Sequence, residues 1–183
     1  MPFGTLPIAK PLGKTLNQIT ENFIRLDFVL NCTTKYRIMN LKLRSRVACK
    51  LETVQARFDE DLFRYLLPPG AALIQYDGSK KGDIVHLKLP VAGDWVSEIT
   101  EHGRTEQGSY FIDEGRQLPF PLKRWKHRHV LHRDGDHTII EDDMHFSSGN
   151  RVLDLLLYPA LFLAFLPRVW QYKAYFNNLS SAS

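Results

Sequence analysis

The sequence predicts an α+β fold: a curved antiparallel β-sheet wrapped around a long C-terminal α-helix, with two short helices after the first strand. Three observations predict it. Residues 39–47 alternate apolar and mostly basic positions. Asp134-Gly135 interrupts two alternating runs that read as a hairpin. Residues 152–177 form one long, apolar-rich stretch at the C-terminal end.

The elements follow in order. Residues 1–38 lack a clear pattern and read as an extension to a domain spanning 39–177, with 178–183 as a short tail. Within the extension, Leu16, Ile19, Phe23, Leu26 and Leu30 fall at approximate helical spacing, and Thr20 offers a cap for a later start. Met39, Leu41, Leu43, Ser45 and Val47 alternate with Asn40, Lys42, Arg44 and Arg46, which marks a half-buried first strand. Residues 51–57 and 58–67 read as short helices, with Leu51, Val54 and Phe58, then Leu62, Phe63 and Leu66, facing inward. Pro68-Pro69-Gly70 ends the second. Strands follow near 72–76, 83–91, 94–102 and 109–113, separated by Asp77-Gly78, Ala92-Gly93 and Glu106-Gln107-Gly108. The last helix, over 152–177, contains Pro159 and Pro167 and is expected to bend or begin irregularly.

The hairpin carries most of the chemistry. With Asp134-Gly135 as the central turn pair, Arg133 faces Asp136, Leu131 faces Thr138, His129 faces Ile140 and His127 faces Asp142. Alternation puts Trp125, His127, His129, Leu131, Thr138, Ile140, Asp142, Met144 and Phe146 on one face. The other face pairs Arg128 with Glu141 and Lys126 with Asp143, oppositely charged cross-strand pairs. The aromatic and aliphatic face is the buried one, yet it carries two histidines and an aspartate. Buried polar groups need partners. His127 and Asp142 can satisfy each other, whereas His129 finds none in this register. A satisfied core pair and the lining of a ligand cavity both fit this pattern.

Composition bounds the rest. A chain of 183 residues suits one domain with a modest extension, and 44% hydrophobic with 24% charged residues is ordinary for a soluble globular protein. A net charge of +4 is mild. The basic run Lys35, Arg37, Lys42, Arg44, Arg46 and Lys50 reads as a solvated strand edge, with transient contact to an anionic membrane surface as the alternative. Nucleic acid is disfavoured, since helix-turn-helix, zinc-finger and aromatic RNA-binding signatures are missing. Cys32 and Cys49 have neither a disulfide framework nor metal spacing, and free thiols in a reducing compartment are the simple account. With no continuous apolar leader, a cytoplasmic location is expected. Residues 152–166 are nearly all apolar but fall short of the roughly 18–20 residues a bilayer span needs, and they contain Asp154 and Pro159. A buried helix packed on the sheet is the expectation. Oligomeric state is not legible.

Four strings, FDEDLFRYLLPPG (58–70), YDGSKKGDIVHLKLP (76–90), FIDEGRQLPFPLKRWKHRH (111–129) and LLLYPALFLAFLPRVWQYKAYF (155–176), carry a family resemblance. In their order and in the WxHxH pattern of Trp125, His127 and His129, the chain over 39–176 resembles the SRPBCC superfamily. This is the START-like, helix-grip fold shared with the Bet v 1-like birch-pollen allergens and the polyketide cyclases/dehydrases. The likeness is nearest to the small bacterial ligand-binding members. It implies a hydrophobic cavity between sheet and C-terminal helix for a lipid, isoprenoid, polyketide or similar small molecule. Carriers, transfer proteins and enzymes share the fold, so it does not decide activity.

Three readings follow. The preferred one is a non-catalytic binding or carrier domain, because neither a nucleophile motif nor a cofactor motif is present. Trp125, His127, His129, Asp142 and Met144 would line the cavity, with apolar wall from Leu156, Phe162 and Phe165. The alternative is a cyclase, dehydratase or isomerase in which a His127–Asp142 pair acts as general base. The lesser alternative is a metal site built from His127, His129 and Asp142. No catalytic residue, metal or cofactor is assigned. GSKKGD (78–83) reads as a solvated turn, Arg116 as a rim salt-bridge partner, and His132 and His137 as solvent-facing beside the turn. Asp113 and Glu114, being adjacent in a strand, point to opposite faces and cannot act together.

Overall fold

A computed structural model describes residues 38–180. The expected helix over 16–30, Cys32, Lys35 and Arg37 lie outside the described residues. Strand β1 (Met39–Val47) is followed by two short helices, α1 (Leu51–Ala56) and α2 (Glu60–Tyr65). Six strands come next: β2 (Ala72–Tyr76), β3 (Ile84–Leu89), β4 (Gly93–Thr105), β5 (Gly108–Gln117), β6 (Arg124–Asp134) and β7 (His137–Ser147). Two helices close the chain, α3 (Arg151–Phe165) and α4 (Arg168–Ser180). The strands form one antiparallel sheet in the order β1-β7-β6-β5-β4-β3-β2, so β1 crosses over to pair with β7.

The alternation in β1 behaves as expected: Leu41, Leu43, Ser45 and Val47 are buried. The intervening bases meet carboxylates on β7 and its turn. Lys42 lies 3.0 Å from Glu141 and 3.2 Å from Asp143, and Arg44 lies 2.6 Å from Glu141. Arg46 bonds Asp134 at 2.6 Å, and Lys50 lies 3.8 Å from Asp136. The basic run is thus largely neutralised within the sheet. α2 begins where the Asp59 side chain accepts from the Leu62 N–H, and Leu51, Val54, Leu62 and Leu66 turn inward.

The hairpin turn differs from the sequence reading by one residue. The central pair is Gly135-Asp136, closed by Asp134 opposite His137. Gly135 takes φ +62°, while among the described residues no non-glycine takes positive φ, so the turn needs glycine at its first central position only. That shifts the partner strand by two positions. Each residue keeps its face, but its neighbour changes: His129 sits opposite Asp142, His127 opposite Met144, and Arg128 opposite Asp143. Glu141 therefore finds its bases on β1, and Lys126 pairs with Glu114 at 3.2 Å.

The long C-terminal helix is present and is interrupted at one of its two prolines, in keeping with the expected bend. Pro159 is accommodated inside α3, but Pro167, which lacks an N–H, separates α3 from α4. The sheet grips α4 most closely, through buried Val169, Tyr172 and Phe176. In α3 only Asp154 and Leu161 are buried, and Val152, Leu155, Leu156 and Leu163 are each more than 60% exposed. The expectation of a buried helix at 152–166 is corrected: one narrow side of α3 packs and its apolar outer side faces out. Together Arg151–Asn178 make a 28-residue run long and apolar enough, by length and composition, to cross a membrane. Asp154 has a local role, accepting from the Ser148 N–H and, at 3.1 Å, from the Ser147 hydroxyl, which pins the β7–α3 turn.

Two apolar clusters fill the interior. One gathers Val47, Leu51, Val54, Leu62, Leu131, Ile140, Tyr172 and Phe176 beneath the short helices. The other gathers Leu41, Leu43, Trp125, Met144, Phe146, Leu161 and Val169 beneath α3. Along β6 and β7, His127, His129 and Asp142 fall between them.

Candidate functional site

A cavity of about 190 Å³ lies between the inner face of the sheet and the helices. Its walls are mostly apolar, with Phe58 and Leu62 from the α1–α2 region, Val85, Leu87 and Ile99 from β3 and β4, and Leu161 and Phe165 from α3. Asp59, Tyr76 and Ser97 add polar groups to the wall, and a larger polar cluster gathers Asp113, Trp125, His127, His129, Arg168 and Tyr172. β5 pairs with β6 so that Asp113 lies opposite His127, and β7 places Asp142 opposite His129. The two imidazoles therefore stand side by side between two carboxylates, with ring centroids 3.7 Å apart.

The contacts are specific. His127 Nε2 donates to Asp142 Oδ1 at 3.0 Å, and the acceptor-only carboxylate fixes that proton's position. His129 Nε2 bonds Asp113 Oδ2 at 3.2 Å. His129 Nδ1 lies 3.1 Å from Asp142 Oδ1 without an aligned hydrogen bond, and His127 Nδ1 lies 3.5 Å from Asp113 Oδ2. The Trp125 indole N–H donates to Asp113 Oδ1 at 3.0 Å. Phe111 stacks on His129 with centroids 4.3 Å apart, and Trp95 meets Trp125 edge-on at 4.8 Å. The Tyr172 hydroxyl is buried near Asp142 and Arg168 without an aligned partner. The Arg168 guanidinium lies 4.4 Å from the Phe165 ring centroid.

Burial and pairing oppose each other here. Burial raises a carboxyl, but hydrogen bonds and charge from the histidines outweigh it and hold Asp113 and Asp142 below the usual carboxylate range. Burial, then neighbouring His129, pulls His127 below the usual imidazole value despite its bond to Asp142. Burial also pulls on His129, yet the two flanking carboxylates prevail and hold it above that value. The two histidines are thus driven in opposite directions, His127 toward the neutral imidazole and His129 toward the imidazolium, between two carboxylates that favour the ionised form. Tyr172 is pushed well above a free phenol, by burial first and Asp142 second.

Of the residues singled out from sequence, Trp125, His127, His129 and Phe165 line the cavity. Asp142 stands behind the histidines, 1% exposed, and holds them. Met144 and Phe162 pack in the cluster beneath α3, away from the cavity wall. Leu156 faces outward, 64% exposed, because α3 turns that side away from the sheet. Arg116 pairs with Glu98 at 2.7 Å. The sequence reading missed Asp113, Arg168, Tyr172, Phe111 and Phe58. The separation of Asp113 from Glu114 was correct, but Asp113 is the inward member, and its partners lie on the next strand. The signal for it was alternation continuing from Phe111 through Asp113.

No protein-family model matches the chain, and no curated protein matches its sequence. Solved structures share its fold. A point mutant of norcoclaurine synthase from Thalictrum flavum, in complex with a transition-state analogue, superposes with TM-score 0.56 at 12% identity, covering 74% of this chain and 94% of that one. A protein from Nitrosospira multiformis gives 0.55 at 14% identity, covering 78% and 99%. The Zhui aromatase/cyclase from Streptomyces sp. R1128 gives 0.52 at 12% identity, covering 73% and 94%. At these identities the likeness is one of fold.

Proposed function

We propose that this chain, which has the Bet v 1-like helix-grip fold of the SRPBCC superfamily, binds and carries a compact apolar small molecule in the cavity between sheet and helices. The observation that carries this reading is the cavity itself: apolar on its walls, polar at one end, about 190 Å³ in volume. An engineered cavity of roughly 150 Å³ takes up benzene. The space here suits a molecule of about one or two rings, or a short isoprenoid or polyketide fragment, rather than an intact two-chain lipid. The polar end orients a ligand through Arg168 and the Tyr172 hydroxyl, neither of which pairs with a described carboxylate in an aligned hydrogen bond.

The general-base alternative has its pair, His127 and Asp142 at 3.0 Å. A general base must also reach the substrate's proton. All four ring nitrogens of His127 and His129 instead lie within 3.5 Å of a carboxylate oxygen. That commitment favours binding over proton abstraction by these histidines.

Native mass spectrometry of the purified protein, followed by denaturing release, tests the reading. The expected result is a single compact apolar organic adduct, or its acquisition when naphthalene is added. Ala164 lines the cavity from α3 at a position that is itself exposed. Ala164→Trp should obstruct the cavity there and abolish the adduct while the fold persists. Uptake unaffected by that substitution would place the ligand elsewhere and contradict the proposal.

A further inference from the structure

The polar end of the cavity has a feature that apolar ligand binding does not require. Three lining atoms face one another: Asp113 Oδ2, His127 Nδ1 and His129 Nε2. The carboxylate oxygen is 3.5 Å from the first nitrogen and 3.2 Å from the second. Ligand atoms from Asp113, His127 and His129 lie within 4.8 Å of one another. Around a zinc-like ion with bonds of about 2.0–2.1 Å, adjacent tetrahedral ligand atoms stand about 3.4 Å apart. The spacing to Asp113 matches on both sides.

The surroundings fit as well. Ligating histidines usually direct their other nitrogen to a carboxylate, and ligating carboxylates are themselves hydrogen-bonded. Here the remaining nitrogen of His127 bonds Asp142 Oδ1 at 3.0 Å, and that of His129 lies 3.1 Å from the same oxygen without an aligned hydrogen bond. The second oxygen of Asp113 accepts from Trp125 at 3.0 Å. A neutral His127 that donates Nε2–H to Asp142 turns its Nδ1 lone pair toward the Asp113 carboxylate 3.5 Å away, a repulsive contact. A cation between them makes it attractive.

We propose that Asp113 Oδ2, His127 Nδ1 and His129 Nε2 bind a divalent first-row transition-metal ion of the zinc class, with the open coordination position facing the cavity. Two imidazoles and one carboxylate are a donor set suited to such ions. Asp142 and Trp125 are positioning residues. Charge balances: the ion brings two positive charges against the carboxylates of Asp113 and Asp142, and any proton on a ligating nitrogen leaves as the ion binds. Asp113 takes the place that Asp142 held in the sequence reading, since Asp142 is engaged behind the rings. The site is defined by these side chains alone and does not depend on the cavity's occupant.

The test uses the whole chain stripped with a chelator, then titrated with Zn²⁺ by calorimetry and with Co²⁺ by visible absorption. The expected result is one ion per chain, proton release that scales with buffer ionisation, a raised melting temperature, and intense four- or five-coordinate cobalt bands. Asp113→Asn keeps an acceptor for Trp125 and should lose at least about 100-fold in Zn²⁺ affinity, whereas Asp142→Asn should lose about 10–100-fold. No uptake by the folded protein overturns the proposal. So does Zn²⁺ binding that survives Asp113→Asn, which assigns the ion to histidines elsewhere, such as exposed His102. If the variants fail to fold, the wild-type cobalt spectrum decides, and a weak six-coordinate, water-like spectrum overturns the site.

Discussion

Three consecutive acids on β7 meet two different sets of bases. Glu141 and Asp143 point to the outer face, where Lys42 and Arg44 reach them from β1 and Asn40 and His145 add hydrogen bonds to Asp143. Asp142, between them, points inward to two histidines that are 3% and 6% exposed. The chemistry is acid against base on both faces. Outside, Glu141 is itself only 4% exposed, but its bases Lys42 and Arg44 reach toward water, which screens the pairs and can solvate the bases. Inside, water cannot compensate a lost partner, so each group depends on the others. The outer face is a reserve of small, separable contributions, and the inner one a single coupled unit.

Removing the central inner acid should break that contrast most strongly. Asp142→Ala leaves two buried imidazoles facing an apolar gap, and a loss of about 3–5 kcal/mol in urea unfolding is expected. A loss under 1 kcal/mol would mean the cluster is hydrated and the two faces are alike. Glu141→Gln should cost less than Asp142→Ala, because its bases Lys42 and Arg44 stay within reach of water, and the cost should shrink in high salt. The outer face also carries a pH signature. Lys42 and Arg44 outweigh burial at Glu141, while His145, Asn40 and Lys42 do so at Asp143, so both carboxyls sit below their ordinary range. Their stabilisation is complete above the unfolded carboxyl value, near pH 4, and is lost as pH falls through the lower folded values. Acid unfolding should therefore be blunted in Glu141→Gln. Tyr172→Phe removes a buried hydroxyl with no aligned partner and should leave stability unchanged or raise it by about 1 kcal/mol. A clear loss would show that the hydroxyl is bonded to Asp142. Smallest of all, Arg46→Gln breaks a pair in which both side chains are more than 40% exposed, and a change within about 0.5 kcal/mol is expected.

Much of the fold was legible because sheet faces obey a period of two. β2 falls at 72–76 as read, and every inner residue of β6 and β7 lies on the face assigned to it. The turn error of one residue moved the partner strand by two, an even shift that changes neighbours but not faces. That is why His129 looked unpartnered and is in fact opposite Asp142. Asp113 was not recoverable in the same way. Residues 118–123, with Pro119 and Pro121, join β5 to β6, and a connection of that length gives no countable register. Outward-facing Leu156 shows the limit of composition: apolar content alone does not say which side of a helix the sheet will cover.

The separation of inner from outer face is tested most directly by ring-nitrogen NMR of metal-free, ¹⁵N-histidine-labelled protein across a pH series. The account predicts that His127 stays neutral, its Nε2 proton held by Asp142, below the pH at which a free imidazole gains its second proton. It also predicts that His129 stays doubly protonated above that pH. If His127 and His129 instead titrate together near the ordinary histidine value of about 6.5, the cluster is open to water and the account of a dry, mutually committed inner face is wrong.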